Sequence, residues 1–157
     1  MPRLPVIRAA NGADVAALGA IAEAAPLFPA DMLPEMIAPY LSGSADDLWW
    51  TVEHEGETAG FAFCEPERFT NGTWNMRAIA VAPARQSQGL GAALVRAVEA
   101  ALGERGGRLL IVETDSATEH ERTCAFYRAQ GYAEEARLRD FWDDGTDKII
   151  FRKPLRG

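Results

Sequence analysis

Between Thr73 and Thr114 the hydrophobic pattern changes period twice, and this limits the available folds more than any other feature of the chain. Thr73 to Val81 reads as an extended run that stops at Pro83. From Gln88 to Leu102 the period becomes helical, with Leu90, Leu94, Val98, Ala101 and Leu102 on one face before Gly103, Gly106 and Gly107 end it. Leu109-Leu110-Ile111-Val112 is then apolar without a break, as expected of a strand covered on both faces. Strand, helix and strand in this order form a crossover, which places the two strands parallel in one sheet.

The flanking segments read as helices and hairpins. Leu4 to Ala9 is short and extended. Asn11 offers an N-cap with Asp14 three residues on, and Val15, Leu18, Ile21 and Ala22 follow at helical spacing until Pro26 and Pro29. A second amphipathic helix is predicted over about Asp31 to Leu41, with Met32, Met36, Ile37 and Tyr40 toward the core, Pro34 in its first turn and Pro39 at its end. Leu48 to Glu53 and Thr58 to Cys64 flank the turn His54-Glu55-Gly56-Glu57, and Asn71-Gly72 marks another turn. Thr118 with Glu121, and Ser116 with Glu119 one register earlier, form capping boxes for a helix that ends at Gly131. Tyr132 to Trp142 and Lys148 to Arg152 close the chain as two strands joined through Asp143-Asp144-Gly145.

The predicted order is therefore βααβββαβαββ: a mixed α/β fold, its central sheet mostly antiparallel with one parallel strand pair. No internal repeat or Pro/Gly/Ser linker divides the 157 residues, so residues 1–157 are expected to form a single domain.

With 16 Lys+Arg against 23 Asp+Glu the formal charge is −7, which argues against a general nucleic-acid binder and against an anionic membrane surface. The charge is uneven. From Arg68 to Val98 there is no Asp or Glu but there are four Arg: Arg68, Arg77, Arg85 and Arg96. This basic window coincides with the strand–helix junction. Two cysteines, Cys64 and Cys124, and two histidines, His54 and His120, are read as building no structural zinc site, and both thiols as reduced. The apolar run Val15 to Ala22 is too short to span a bilayer. A cytoplasmic protein without metal is the expectation.

The chemistry is carried by the junction itself, Gln86-x-x-Gly89-x-Gly91 between strand and helix. The free N–H groups of a helix's first turn bind anions, and glycine lets a pyrophosphate approach the backbone with no Cβ in the way. Two other glycine-rich readings fail. A dinucleotide fingerprint wants Gly or Ala where Leu94 stands, and a P-loop needs a Lys where the chain has none before Lys148.

Ile79-Ala80-Val81-x-Pro83, then Gln86-x-x-Gly89-x-Gly91, then Ala125-Phe126-Tyr127-x-x-x-Gly131-Tyr132 together resemble the GCN5-related N-acetyltransferase (GNAT) superfamily over essentially the full length. The resemblance implies acetyl-CoA as donor substrate, its pyrophosphate held by the amides of Gln86, Ser87, Gln88, Gly89, Leu90, Gly91 and Ala92. The pantetheine arm would lie on the strand at Ile79, Ala80 and Val81. His120 and Thr123 stand where the family commonly has Asn and Ala, so His120 is the candidate cofactor contact from that helix.

Acetyl transfer from a thioester to an amine needs an oxyanion donor, an acid for the departing thiolate and an acceptor for the amine proton. A backbone N–H near Ile79 is the expected oxyanion donor. Tyr127 is the candidate acid, because a phenol stays protonated at neutral pH. Glu113, at the end of the buried strand, is the candidate base, directly or through water. Trp74 and Trp142 either line the acceptor cavity or serve core and hairpin packing. Asp140, with Asp143, Asp144 and Asp147, either attracts a cationic amine or forms a solvated turn. Cys124 reads as a small buried hydrophobe. The expected partner is a small-molecule amine, with no nucleic acid and no membrane, and a homodimer is compatible with the sequence. The alternative is a non-catalytic acyl-CoA-binding sensor or partner module on the same fold.

Overall fold

The computed structural model describes residues 3–117 and 119–155. Along the chain run β1 (Val6–Ala9), α1 (Val15–Ala24), α2 (Leu33–Ser42), β2 (Leu48–His54), β3 (Glu57–Pro66) and β4 (Thr73–Val81). There follow α3 (Leu90–Glu104), β5 (Leu109–Asp115), α4 (His120–Ala129), β6 (Ala133–Asp143) and β7 (Thr146–Pro154). This is the βααβββαβαββ order expected from the sequence.

The strands form one sheet in the order β1-β2-β3-β4-β5-β7-β6, antiparallel except between β4 and β5. That parallel contact is short. Thr73, Trp74 and Asn75 pair with Leu109, Leu110 and Ile111, and beyond them β4 continues along β3 while β5 continues along β7. The two strands thus part at Met76 and leave a V-shaped opening toward the C-terminal end of β4. A bulge sets this geometry: Phe63 pairs with Ala78 but Cys64 with Met76, so Arg77 is an extra residue on β4. The bulge also switches faces. Trp74 and Met76 lie in the core under α3 and α4, whereas Ala78 and Ala80 lie in the core under α1 and α2.

Local chemistry explains the flanking elements. Asn11 Oδ1 accepts the Ala13 N–H at 2.9 Å and Asp14 Oδ2 accepts the Asn11 N–H at 2.8 Å, a complete capping box on the 3-10 turn that leads into α1. Arg8 from β1 donates to both Asp14 oxygens at 2.8 Å, locking strand to helix. The β2–β3 connection has positive φ at both Glu55 and Gly56, which fits the twist of a two-residue hairpin.

Two details depart from expectation. A 3-10 turn over Ala30–Met32 precedes α2, so Leu33 and Ile37 form its buried stripe, while Met32 is 48% exposed rather than facing the core. Pro39 sits inside α2, which continues to Ser42 and is capped by Gly43 at φ +74°. Full burial of Leu33 or Ile37 is worth about 1.5–3 kcal/mol each. The expected capping box of Ser116 and Glu119 does not form. Ser116 Oγ instead accepts the Asp147 N–H at 2.7 Å, and α4 begins after Glu119 in a left-handed conformation. The other expected capping box, with Glu121, falls on Thr118, outside the described residues.

Candidate active site

The turn after β4 is built to leave donors unmet. Arg85 pins its start: Nη1 donates to the His54 carbonyl at 3.0 Å and Nη2 to Glu57 Oε2 at 2.8 Å. Ser87 (φ +66°) and Gly89 (φ +80°) then take left-handed conformations, and Gly89 is the N-cap of α3. A glycine cap supplies no side-chain acceptor, and the first turn contains no acid. Among the described residues none of the backbone amides from Ser87 to Ala92 donates to a protein acceptor. A Cβ added at Gly89 would meet nothing within 4 Å. The helix dipole adds partial positive charge at this spot. The chemistry fits an anion such as a pyrophosphate.

This cradle adjoins the opening of the V. The Gln86 side chain donates to the Val81 carbonyl at 3.2 Å, closing the loop back on the strand. Among the described residues β4 pairs with no strand on its β5 side from Met76 onward, so the stretch Ile79, Ala80 and Val81 forms an edge open to an extended ligand. Two buried polar atoms beside the opening lack partners among the described residues: Asn75 Oδ1 where the strands part and Thr114 Oγ1 on β5.

Tyr127 is 4% exposed, in a ring cluster with Phe126, Tyr132 and Phe151 at centroid distances of 5.2, 5.6 and 5.3 Å. Burial pushes its phenol above the ordinary value, with a smaller contribution from the Cys64 thiol. Cys64 is the β3 residue paired with Met76 where β4 leaves β5, and Cys64, Met76 and Tyr127 share the core under α3 and α4. Phe126 packs against the first turn of α3, 3.5 Å from the Cβ position of Gly91. One helix thereby carries both the ring packed against the cradle and the candidate acid.

Glu113 lies on β5 with its side chain 13% exposed, and both its oxygens are occupied. Oε1 accepts from Arg77 Nη1 at 2.8 Å and Oε2 pairs with Lys148 Nζ at 2.6 Å. A carboxylate held by two cations is poorly placed to take a proton from an amine, so its geometry disfavours the expected base role. Arg77 also pairs with Glu65 and Glu67. The basic window is accordingly not a free positive surface. Arg77 and Arg85 are neutralised by acids outside that stretch, and the cradle's positive character comes from backbone amides instead.

The acceptor-side candidates separate. Trp74 is 9% exposed in the core and pairs with Leu110 at the closed end of the V. It borders a recess with Tyr40, Asp47, Leu48 and Arg105 at the far end of the sheet, so it does not line the opening. Trp142 is half exposed and donates from Nε1 to the Thr114 carbonyl at 3.2 Å, which places it at the rim beside β5. Its neighbour Phe141, not singled out from the sequence, faces Lys148 Nζ at 4.1 Å.

Between the pairs Leu138↔Lys148 and Asp143↔Thr146, the β6 residues 139–142 stand against Asp147 alone. Asp140, at φ +56°, spends its carboxylate on the Gly145 N–H at 2.8 Å and its own N–H on Asp147 Oδ1 at 3.0 Å. It holds the bulge rather than a ligand. The Asp147 carboxyl is lowered below the usual range, first by that Asp140 N–H and then by Arg137.

His120 opens α4, and its ring nitrogens each lie 3.5 Å from Cys124 Sγ. The histidines and cysteines were expected to build no zinc site, neither histidine standing at ligand spacing from a cysteine; yet His120 and Cys124 are one helical turn apart, and the fold brings Glu134 beside them.

The sequence matches the family described as Acetyltransferase (GNAT) family over residues 20–132. A solved structure from Desulfovibrio desulfuricans, assigned to GNAT acetyltransferases, is 30% identical with a TM-score of 0.88, covering 98% of this chain and 100% of that one. The ribosomal-protein-S18-alanine N-acetyltransferase of Escherichia coli is 24% identical with a TM-score of 0.78, covering 98% and 96%. An aminoglycoside 6'-N-acetyltransferase complexed with coenzyme A is 18% identical with a TM-score of 0.79, covering 97% and 98%; these last two likenesses speak to fold alone. No curated protein matches the sequence. The chain belongs to the GNAT acetyltransferase family. No helix among the described residues is long and apolar enough to cross a membrane.

Proposed function

We propose that this protein transfers the acetyl group of acetyl-CoA to a primary amine of a small molecule by direct attack in a ternary complex. The observation that carries the reading is the run of unpartnered amides from Ser87 to Ala92 at a glycine-capped helix, opening onto the free edge of β4. These amides would hold the pyrophosphate, and the free edge of β4 at Ile79 and Val81 would hydrogen-bond the pantetheine arm, Ala80 lying between them with its carbonyl turned to β3. Acetyl-CoA supplies the activated thioester.

The rest is done by the chain. The Ile79 N–H faces the developing oxyanion. Tyr127 keeps its proton through neutral pH and delivers it to the leaving thiolate. Glu113, tied to Arg77 and Lys148, fixes the spacing of the two arms, and water relays the amine proton to solvent. Trp142 forms the rim over which the acceptor enters. Structural relatives named for an aminoglycoside and for an alanine of a ribosomal protein support amine chemistry in general.

Backbone amide NMR during acetyl-CoA titration tests the cradle. Shifts concentrated at Ser87 to Ala92 support it, and shifts confined elsewhere overturn it. The sensor alternative separates on turnover, since a sensor binds the thioester without consuming it in the presence of any amine.

A further inference from the structure

His120 and Cys124 are four residues apart on α4, so one helical turn stacks their side chains. The Cys124 sulfur lies 3.5 Å from both ring nitrogens of His120. Glu134, in β6, is registered opposite Phe151, whose ring belongs to the core under α3 and α4. Directly opposed residues share a sheet face, so Glu134 points toward the same helix. Imidazole, thiol and carboxylate thereby present three ligand atoms that all lie within 4.8 Å of one another.

Proximity brings the three donors together, and their chemistry favours one class of ion. Tetrahedral zinc takes sulfur at about 2.3 Å and imidazole nitrogen at about 2.0–2.1 Å, which gives a nitrogen–sulfur edge of about 3.5 Å. The Cys124 sulfur lies at that distance from both ring nitrogens, so the imidazole turns to aim one nitrogen at a shared ion. A thiolate and an imidazole select zinc-like cations over magnesium or calcium, which take oxygen ligands. Cys124 is 4% exposed while Glu134 is exposed, so an ion arriving from solvent meets the carboxylate first and the thiol last.

We propose that His120, Cys124 and Glu134 form a three-ligand site for a zinc-class divalent cation that bridges the first turns of α4 to the start of β6. The site shares His120 with the cofactor contact expected from α4 but does not need acetyl-CoA to form. It lies one turn from Tyr127 on the same helix, and an ion there holds that helix to the sheet edge.

The test is a cobalt(II) titration of the reduced, full-length protein without acetyl-CoA. One ion per chain, the intense visible bands of tetrahedral cobalt, a thiolate-to-cobalt charge-transfer band, and displacement by zinc are expected. Cys124→Ser removes the charge-transfer band. Glu134→Gln, on an exposed strand where folding is not at risk, weakens binding by at least about tenfold. Cys64→Ser leaves the spectrum unchanged. Absence of the charge-transfer band, its loss in Cys64→Ser, or unchanged affinity in Glu134→Gln overturns the assignment. The last result would place the ion elsewhere, for example at the acidic hairpin around Asp143 and Asp144.

Discussion

Arg77 on β4 donates to Glu113 on β5 across 2.8 Å, an ion pair that bridges the two strands just past the point where they part. Arg77 is the bulge residue and Glu113 is also held by Lys148, so one contact ties a backbone irregularity to the width of the opening. A charge network partly withdrawn from water resists removal of one member more than an exposed pair does.

If Glu113 is a tie rather than a base, Glu113→Gln keeps the shape of the pH–rate profile and lowers kcat by less than about tenfold. Loss of the base would instead cost about 10²–10⁴-fold and abolish the acidic limb. Rates measured from pH 5 to 9 on wild type and variant decide between them.

Tyr127→Phe keeps the ring cluster with Tyr132 and Phe151 but removes the proton. The expected loss in kcat is about 10²–10⁴-fold, with acetyl-CoA affinity unchanged. Burial raises the phenol's pKa, so the protonated form extends upward in pH. The wild-type rate should therefore show no fall through the ordinary tyrosine range near about 10. Equal losses in turnover and binding would assign Tyr127 to packing.

Gly89 and Gly43 form a matched pair. Both have left-handed φ, +80° and +74°, and a Cβ at either meets nothing within 4 Å. Alanine should cost each about 1–2 kcal/mol of stability from backbone strain alone. Only Gly89→Ala should also weaken acetyl-CoA binding, and Gly89→Val should abolish it. Calorimetric titration of all three variants checks this; equal affinities for the two alanine variants would remove the cradle from the account.

Asp14 links β1 to α1, and its carboxyl is held below the ordinary value, first by the Arg8 hydrogen bonds and further by the Asn11 N–H, against the opposing effect of burial. A depressed folded-state pKa contributes stability above the unfolded value of about 3.9, and that stability disappears as pH falls through the folded value. Asp14→Asn should cost about 1.5–3 kcal/mol at pH 7. Urea unfolding should show the gap between wild type and variant narrowing below about pH 4. A gap independent of pH would mean that shape, not charge, sets the cost.

The crossover and the cradle were legible in the sequence because both are local. A change of period at Gln88 and two glycines at a helix mouth need no knowledge of distant partners. What escaped depends on register and on contacts between elements far apart in sequence. The bulge at Arg77 flips Ala78 and Ala80 to the other face, which no alternation pattern in β4 announces. The basic window reads as +4 along the chain, yet Glu113 and Glu57 arrive from other strands to cancel two of its arginines. Trp74 and Trp142 look equivalent as sequence, but the parallel pairing buries one at the closed end while the hairpin bulge carries the other to the rim.

The most direct measurement is release of free thiol from acetyl-CoA by the purified protein against a panel of primary amines, with mass analysis of each amine. The panel should span small polyamines, aminoglycosides, amino acids and peptide N-termini. The account predicts tight acetyl-CoA binding and amine-dependent thiol release with an acetyl group on a small-molecule amine. Tight binding with no amine-dependent release from any member would contradict it and leave a sensor on the same fold.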